Sequence, residues 1–321
     1  MTREALVTIA MTAYDAQETI EAALASAAAQ TWHPREIVVV DDASGDRTPE
    51  LLERFAARVP DVRIVRHGEN RGVGAARNSL LVEARGAFVV FFDDDDVSEP
   101  RRVEAQVDRI VAYERLIGDA GPVVCHAARL ARYPDGVTRR LPAMGEAAKG
   151  WAPSGHAVAD AILRGTATGI AGACATCSQA ARIETYRTVG GFDESFRRGE
   201  DTDLAVRLAR AGAHFVGLED ALVHQTMTRT TDKSLEAERE AFLMLLEKNR
   251  DFLDQYGEYD FSRGWIEVRH HWMMRRRVRF AGGLLALLVR NPVATARRLR
   301  HALPRIADNE AHRAFLGGDP S

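Results

Sequence analysis

Cysteine is scarce in this chain. The three present, Cys125, Cys174 and Cys177, are too few for a disulfide framework. The Cys174–Cys177 spacing lacks the second pair or the histidines that a structural zinc site needs, so buried free thiols are expected. No apolar run reaches the roughly 20 residues needed to cross a bilayer, and the uncharged stretch 280–289 falls short of it. The opening MTREALVTIAMTAY carries an acid early and leads straight into a strand-like segment, which is not the form of a signal peptide, so a cytoplasmic location is expected. Acid is missing altogether from residues 268–307, which hold ten arginines, so the net charge of −3 divides into +10 there and −13 elsewhere. A segment so one-sided in charge calls for a partner.

What remains is an ordinary folded composition. At 321 residues and 46% hydrophobic content, the chain can bury a sizeable core as one large domain, or one domain with an appendage. Its organising stretch is 87–96, AFVVFF followed by Asp93, Asp94, Asp95 and Asp96. Six apolar or aromatic residues in a row read as a strand buried on both faces. Four carboxylates at the mouth of such a strand repel one another unless a cation or hydrogen-bond donors sit among them. A hard divalent cation takes oxygen ligands and shares them with substrate phosphates. One reading is therefore a metal–diphosphate site at the C-terminal end of a central strand; the other is a polar turn with solvated side chains.

Taken in order, residues 6–11 read as a first strand ending in Thr12 and Tyr14, residues 17–29 as an alanine-rich helix, and 36–40 (EIVVV) as a second buried strand closed by Asp41 and Asp42. This strand–helix–strand opening is a βαβ unit. Thr48 before Pro49 is expected to cap a helix running to about Arg58, and 62–66 reads as a short strand. The segment NRGVGAARN, residues 70–78, is a glycine-punctuated turn into a helix. Its N–H groups attract an anion, and Arg77 offers a forked donor for phosphate. If the strands are parallel, Thr12/Tyr14, Asp42 and the aspartate run meet along one edge of the sheet.

Beyond residue 100, residues 169–178 (GIAGACATCS) read as a small-residue strand. Glu200, Asp201 and Asp203 open a helix with Leu204, Leu208 and Ala211 on one face and Gly212 at its end. Taken by themselves, acids at that position complement the helix dipole. Residues 213–223 suggest a strand pair ending at His224, which is either a surface residue or a ligand for the metal or diphosphate.

The ordered series VTIAMTAYDA, IVVVDDASGD, NRGVGAARN and FFDDDD resembles the nucleotide-binding half of the inverting family 2 glycosyltransferases with the GT-A fold. The resemblance covers roughly residues 6–228. It implies an α/β fold with a Rossmann-like, mixed but mostly parallel sheet flanked by helices: a 1–230 transferase domain whose 1–100 half binds the nucleotide sugar and whose 101–230 half binds the acceptor, followed by a basic helical appendage at 231–321. It implies that Asp42 contacts the base with Thr12 and Tyr14 beside it, and that the aspartate run holds Mn2+ or Mg2+ on the diphosphate. Asp93 with Asp95 and Asp96 are the expected binders, and Asp94 fills the variable slot. It also implies that GGFDE followed by Glu200-Asp201 is the acceptor-side signature, with Asp201 the catalytic base. Asp15 stands where asparagine is common in the family.

The expected activity is then transfer of a sugar from a nucleotide diphosphate sugar, with UDP the commonest base, to a hydroxyl of a glycan or lipid-linked acceptor in cell-surface polysaccharide synthesis. One alternative is a sugar-phosphate nucleotidyltransferase, although that class is expected to place its glycine-rich loop directly after the first strand, where this chain has TAYDAQ. Another is a nucleotide-sugar-binding module without catalysis. In the tail, Ala296, Leu299, Leu303 and Ile306 share a helical face while Arg297, Arg298, Arg300 and Arg305 take others. Such a helix suits either an anionic membrane surface or ordinary packing. Nucleic acid is not expected, since no binding fold or aromatic interleaving accompanies the arginines.

Overall fold

The computed structural model describes residues 5–146, 150–166, 170, 172–227 and 234–303. The chain divides into two compact units. The first comprises residues 1–156, 169–195 and 200–227; the second comprises 157–168, 196–199 and 228–321.

The first unit is built on a sheet. In chain order it contains β1 (Val7–Ala13), α1 (Ile20–Ala28), β2 (Arg35–Asp41), α2 (Thr48–Ala56), β3 (Val62–Arg66), α3 (Val73–Glu83), β4 (Phe88–Asp93), β5 (Val97–Ser98), α4 (Arg102–Ile117), β6 (Val123–Arg132) and β7 (Thr138–Leu141). After α5 (His156–Arg164), which runs into the second unit, come β8 (Gln179–Arg182), α6 (Ile183–Arg187), α7 (Glu200–Arg210) and β9 (His214–Thr226). The strand order is β3-β2-β1-β4-β8-β6-β9-β5, with β7 paired to β6. β1 to β4 are mutually parallel, β8 runs antiparallel between β4 and β6, and β6 and β9 are parallel. This is the mixed, mostly parallel sheet that the family resemblance implies.

Alternation along the strands separates two packed faces. Val7, Ile9, Met11, Phe88, Val90 and Phe92 join Leu24, Leu52, Val107 and Ile110 of α1, α2 and α4 in one core. Phe91 points to the opposite face, where its ring meets Tyr186 and Phe192 edge-on at 5.3 and 5.6 Å. Gly86, just before β4, is required by close approach: a Cβ there would lie 2.5 Å from the Thr8 amide nitrogen.

Four local expectations are corrected. Thr48 lies inside α2, not at its cap; its amide instead donates to Asp46 Oδ1 and its hydroxyl accepts the Ala16 amide. The strand expected over 169–178 is a 3-10 turn at Thr176–Ser178 followed by β8; Gly169 and Ala171 lie outside the described residues. The strand pair at 213–223 is a single long strand, β9, whose register against β6 shifts around Ala128. His224 therefore sits within β9, paired with Val97, and not at a strand end.

The second unit adds α8 (Leu235–Lys248), α9 (Arg250–Asp254), α10 (Tyr259–Met273), α11 (Arg277–Arg290) and α12 (Pro292–Ala302) to most of α5. Phe261, Trp265 and Val268 of α10 pack with Leu287 of α11, and Leu299 and Ala302 of α12 close over this cluster. Part of the α12 face that the sequence leaves free for a membrane is thus turned inward. Arg297 of that helix pairs with Glu258 at 2.5 Å, and Arg298 donates to the Leu163 carbonyl. Arg305 and Ile306 lie outside the described residues. No described helix is long and apolar enough to cross a membrane.

Candidate functional site

Parallel register brings the polar clusters to one sheet edge. Ala13 is level with Asp41, and Thr12 with Asp93. The C-terminal ends of β1, β2 and β4 therefore open side by side, where open α/β sheets bind ligands.

Asp42 follows β2 and is almost fully buried. Its carboxylate accepts the amides of Arg71 (3.0 Å) and Gly72 (2.7 Å) and meets His67 Nδ1 at 2.6 Å. It thereby fixes the glycine turn that precedes α3. Gly72 has φ 91°, a left-handed conformation that favours glycine. His67, whose Nε2 meets Ser79 Oγ at 2.9 Å, is a site residue that sequence reading passed over. Its only signal was a polar residue one position beyond β3.

The four aspartates have unlike surroundings. Asp94 Oδ2 accepts the Tyr14 amide at 2.8 Å, tying the end of β1 to the turn after β4. Burial, followed by the charge of Asp95, pushes its carboxyl up to about 8. Asp96 is deeper: its Oδ1 accepts the Thr226 amide at 3.1 Å, while its buried Oδ2 has no hydrogen-bond partner among the described residues. Burial and the charges of Asp93 and Asp95 raise Asp96 to about 8 as well.

Part of the charge problem is solved by the protein itself. Arg77, buried in α3, places Nη1 2.6 Å from Glu200 Oε1 and Nη2 3.3 Å from Asp93 Oδ1, with its guanidinium over the Phe192 ring. Arg77, read as a phosphate donor, directs one hydrogen bond from each Nη at a carboxylate of the protein. Arg102, fully buried, spends its fork on Ser98 Oγ, the Phe91 carbonyl and Gln106 Oε1 and lies over the Phe92 ring. Its positive charge stands close enough to be felt by Asp96 and Asp93, and burial lowers it to about 10. Asn78 completes the connection: it donates to the Phe192 carbonyl and Glu194 Oε1 and accepts the Phe192 amide. The motif around Arg77 and the GGFDE–Glu200 segment are therefore the two sides of one joint, 114 to 123 residues apart in sequence.

Glu200 and Asp201 occupy the first turn of α7. Burial raises the Glu200 carboxyl, with Arg77 opposing and Asp201 reinforcing the rise. Asp201 is half-buried, and its Oδ1 accepts the amide and hydroxyl of Thr202.

Among the described residues, ligand atoms of Asp93, Asp96 and Cys177 lie within 4.8 Å of one another. The unpartnered Asp96 Oδ2 beside Asp93 suits a hard cation. The Cys177 thiol, pushed well up by burial, stays protonated and is not a ligand that such an ion selects. Asp95 and His224 lie outside this group. His224 Nε2 instead meets Glu99 Oε1 at 2.6 Å, both side chains exposed, so the convergent geometry falls on Asp93 and Asp96. Cys125, Cys174 and Cys177 are free, as expected, and burial raises each thiol.

A mixed, mostly parallel sheet flanked by helices is the GT-A arrangement, and solved structures share that fold. S. aureus TarS 1–349 in complex with UDP-GlcNAc superposes with a TM-score of 0.58 at 18% identity, covering 98% of this chain and 90% of that one. The mannosyltransferase PcManGT from Pyrobaculum calidifontis, in complex with GDP-Man and Mn2+, superposes with 0.58 at 19%, covering 98% and 85%. At such identity the likeness is one of fold. The family model described as Glycosyl transferase family 2 matches residues 8–181, and the chain belongs to that family. Among curated relatives, the succinoglycan biosynthesis protein ExoO of Rhizobium meliloti is 41% identical over 105 residues, 32% of this chain and 29% of that protein. The chain thus matches under a third of that relative's length.

Proposed function

We propose that the protein is a metal-dependent inverting glycosyltransferase, moving a sugar from a nucleotide diphosphate sugar, in the first instance a UDP-sugar, to a hydroxyl of a saccharide or lipid-linked glycan in cell-surface polysaccharide synthesis. The observation that carries this reading is the joint at the sheet edge: the unpartnered Asp96 Oδ2 beside Asp93 on one side, and on the other Glu200, next to Asp201 in the first turn of α7, tied to Asp93 through Arg77. TarS with UDP-GlcNAc supports a UDP donor, and the name of ExoO supports a polysaccharide product. A soluble donor of this kind suits a cytoplasmic protein.

In this reading Thr12, Tyr14 and Asp42 bind the nucleotide across the ends of β1 and β2, and Asp94 holds the Tyr14 backbone in place. Asp93 and Asp96 would hold Mn2+ or Mg2+, which when bound offsets the charge developing on the leaving diphosphate. Asp201 takes the proton of the acceptor hydroxyl as its oxygen bonds to the anomeric carbon. On the opposite face the carbon–oxygen bond to the diphosphate breaks, and its electron pair leaves with the nucleotide. The configuration inverts without a covalent enzyme intermediate.

The test is release of nucleotide diphosphate from UDP-, GDP- and dTDP-sugars, with Mn2+ and with chelator, for the wild type and Asp201→Asn. Release that needs the metal and collapses in the variant is the expected result. Equal release with chelator removes the metal claim. No donor binding by calorimetry overturns the reading.

A further inference from the structure

Helix α11 is apolar on more sides than its packing requires. Its inner face, centred on Leu287 with Phe280 and Leu284, lies against α10. The approach is close: a Cβ on Gly264 would sit 2.9 Å from Leu287 Cδ2, and one on Gly283 2.9 Å from Val268 Cγ2. The outward face repeats the hydrophobicity. Val278, Leu285 and Val289, seven and then four residues apart and so on one stripe, are 87%, 63% and 75% exposed. Between Val278 and Val289 the only charge is Arg279, and Val293 at the start of α12 continues the exposed surface at 79%. A helix hydrophobic all round is normally buried.

The rim of this stripe is cationic. Arg275, Arg276, Arg277 and Arg279 stand at its N-terminal end and Arg290 at its C-terminal end, all exposed. None is paired with an acid among the described residues, and the sequence offers no acid from 268 to 307. An apolar stripe framed by positive charge matches an anionic lipid surface: apolar side chains enter the acyl boundary and arginines meet headgroup phosphates. A second copy of the same face fits poorly, because isologous pairing would set these arginines against each other. Nucleic acid fits poorly too, because the centre of the patch is aliphatic. At 14 residues, α11 is too short to span a bilayer and suits lying in the interface plane.

We propose that the outward face of α11, with its arginine rim, docks the protein on an anionic membrane surface, and that this docking is independent of sugar transfer. The experiment is flotation of the full chain with vesicles of phosphatidylcholine alone and of equimolar phosphatidylcholine and phosphatidylglycerol. The expected result is partition onto the anionic vesicles, weakened by salt. Leu285→Glu/Val289→Glu is expected to lower it at least tenfold, and Arg277→Gln/Arg279→Gln/Arg290→Gln roughly a hundredfold, from the contribution of each cation near an anionic surface. Both sets lie on the exposed surface, so unchanged circular dichroism and thermal unfolding separate lost docking from lost fold. Three outcomes each overturn the proposal: equal binding to both vesicle types, full binding by either variant, or a self-association in vesicle-free solution that Leu285→Glu/Val289→Glu abolishes, which would assign the face to a second copy.

Discussion

In the sheet unit, Arg77 and Arg102 are withdrawn from water and both Nη atoms of each guanidinium meet an oxygen: carboxylates for Arg77, a hydroxyl and a carbonyl for Arg102, whose Nε also meets a side-chain amide. In the helical unit, Arg164 and Arg297 are likewise matched to Glu258, yet Arg275, Arg276, Arg277 and Arg279 stand exposed along a segment that has no acid at all. The same side chain acts as an internal counter-ion in one unit and as an outward-facing charge in the other. Composition alone cannot tell these apart, because the difference lies in whether a carboxylate from elsewhere in the chain arrives at each guanidinium.

That comparison can be sharpened by experiment. The largest effect is expected beside the acids that Arg77 organises: Asp201→Asn, next to Glu200, is expected to lower transfer about a thousandfold, the scale of general-base catalysis, while donor affinity by calorimetry stays unchanged. Next, Arg77→Met strands two partly buried carboxylates and is expected to cost about 3 kcal/mol in urea unfolding. Arg77→Met/Glu200→Met should recover part of that loss, and no recovery would break the counter-ion account. On α11, Leu287→Ala is expected to cost about 2–4 kcal/mol by leaving a cavity in the helical core, whereas outward Leu285→Glu should stay within about 0.5 kcal/mol in the same assay. Equal costs would mean that the outward face is packed after all.

A smaller, graded effect comes from His126, fully buried in β6 and lowered by burial to about 3. Between its ordinary value and about 3 the unfolded chain binds a proton that the folded chain refuses. Stability therefore falls as pH drops through that window, by roughly 1.4 kcal/mol per pH unit from this group. His126→Gln should flatten that slope in denaturant titrations at pH 4 to 6.

The opening βαβ units were legible because their strands are short, wholly apolar runs and the polar residues that matter come directly after them: Thr12, Asp42 and Asp93 lie where the sequence pattern puts them. β6 was not legible. Its run VVCHAARLAR carries His126 and Arg129 into the middle of the sheet, both buried, and such a strand has neither the continuous hydrophobicity nor the clean alternation that marks one. Small residues drew the eye to 169–178, whereas the neighbouring strand begins at Gln179, a buried polar residue. At the site, the identity of the acids could be read but their partners could not. Arg77 has the chemistry of a phosphate donor in any local window, and only folding over 123 residues brings Glu200 to it.

Because one guanidinium touches both Asp93 and Glu200, the two carboxylates are thermodynamically coupled. Any ligand that changes the charge at Asp93 changes the proton affinity of Glu200, and protonating Glu200 changes the affinity for that ligand by the same factor. The two ends of the site are joined here by a single ion, and what happens at either end is registered at the other.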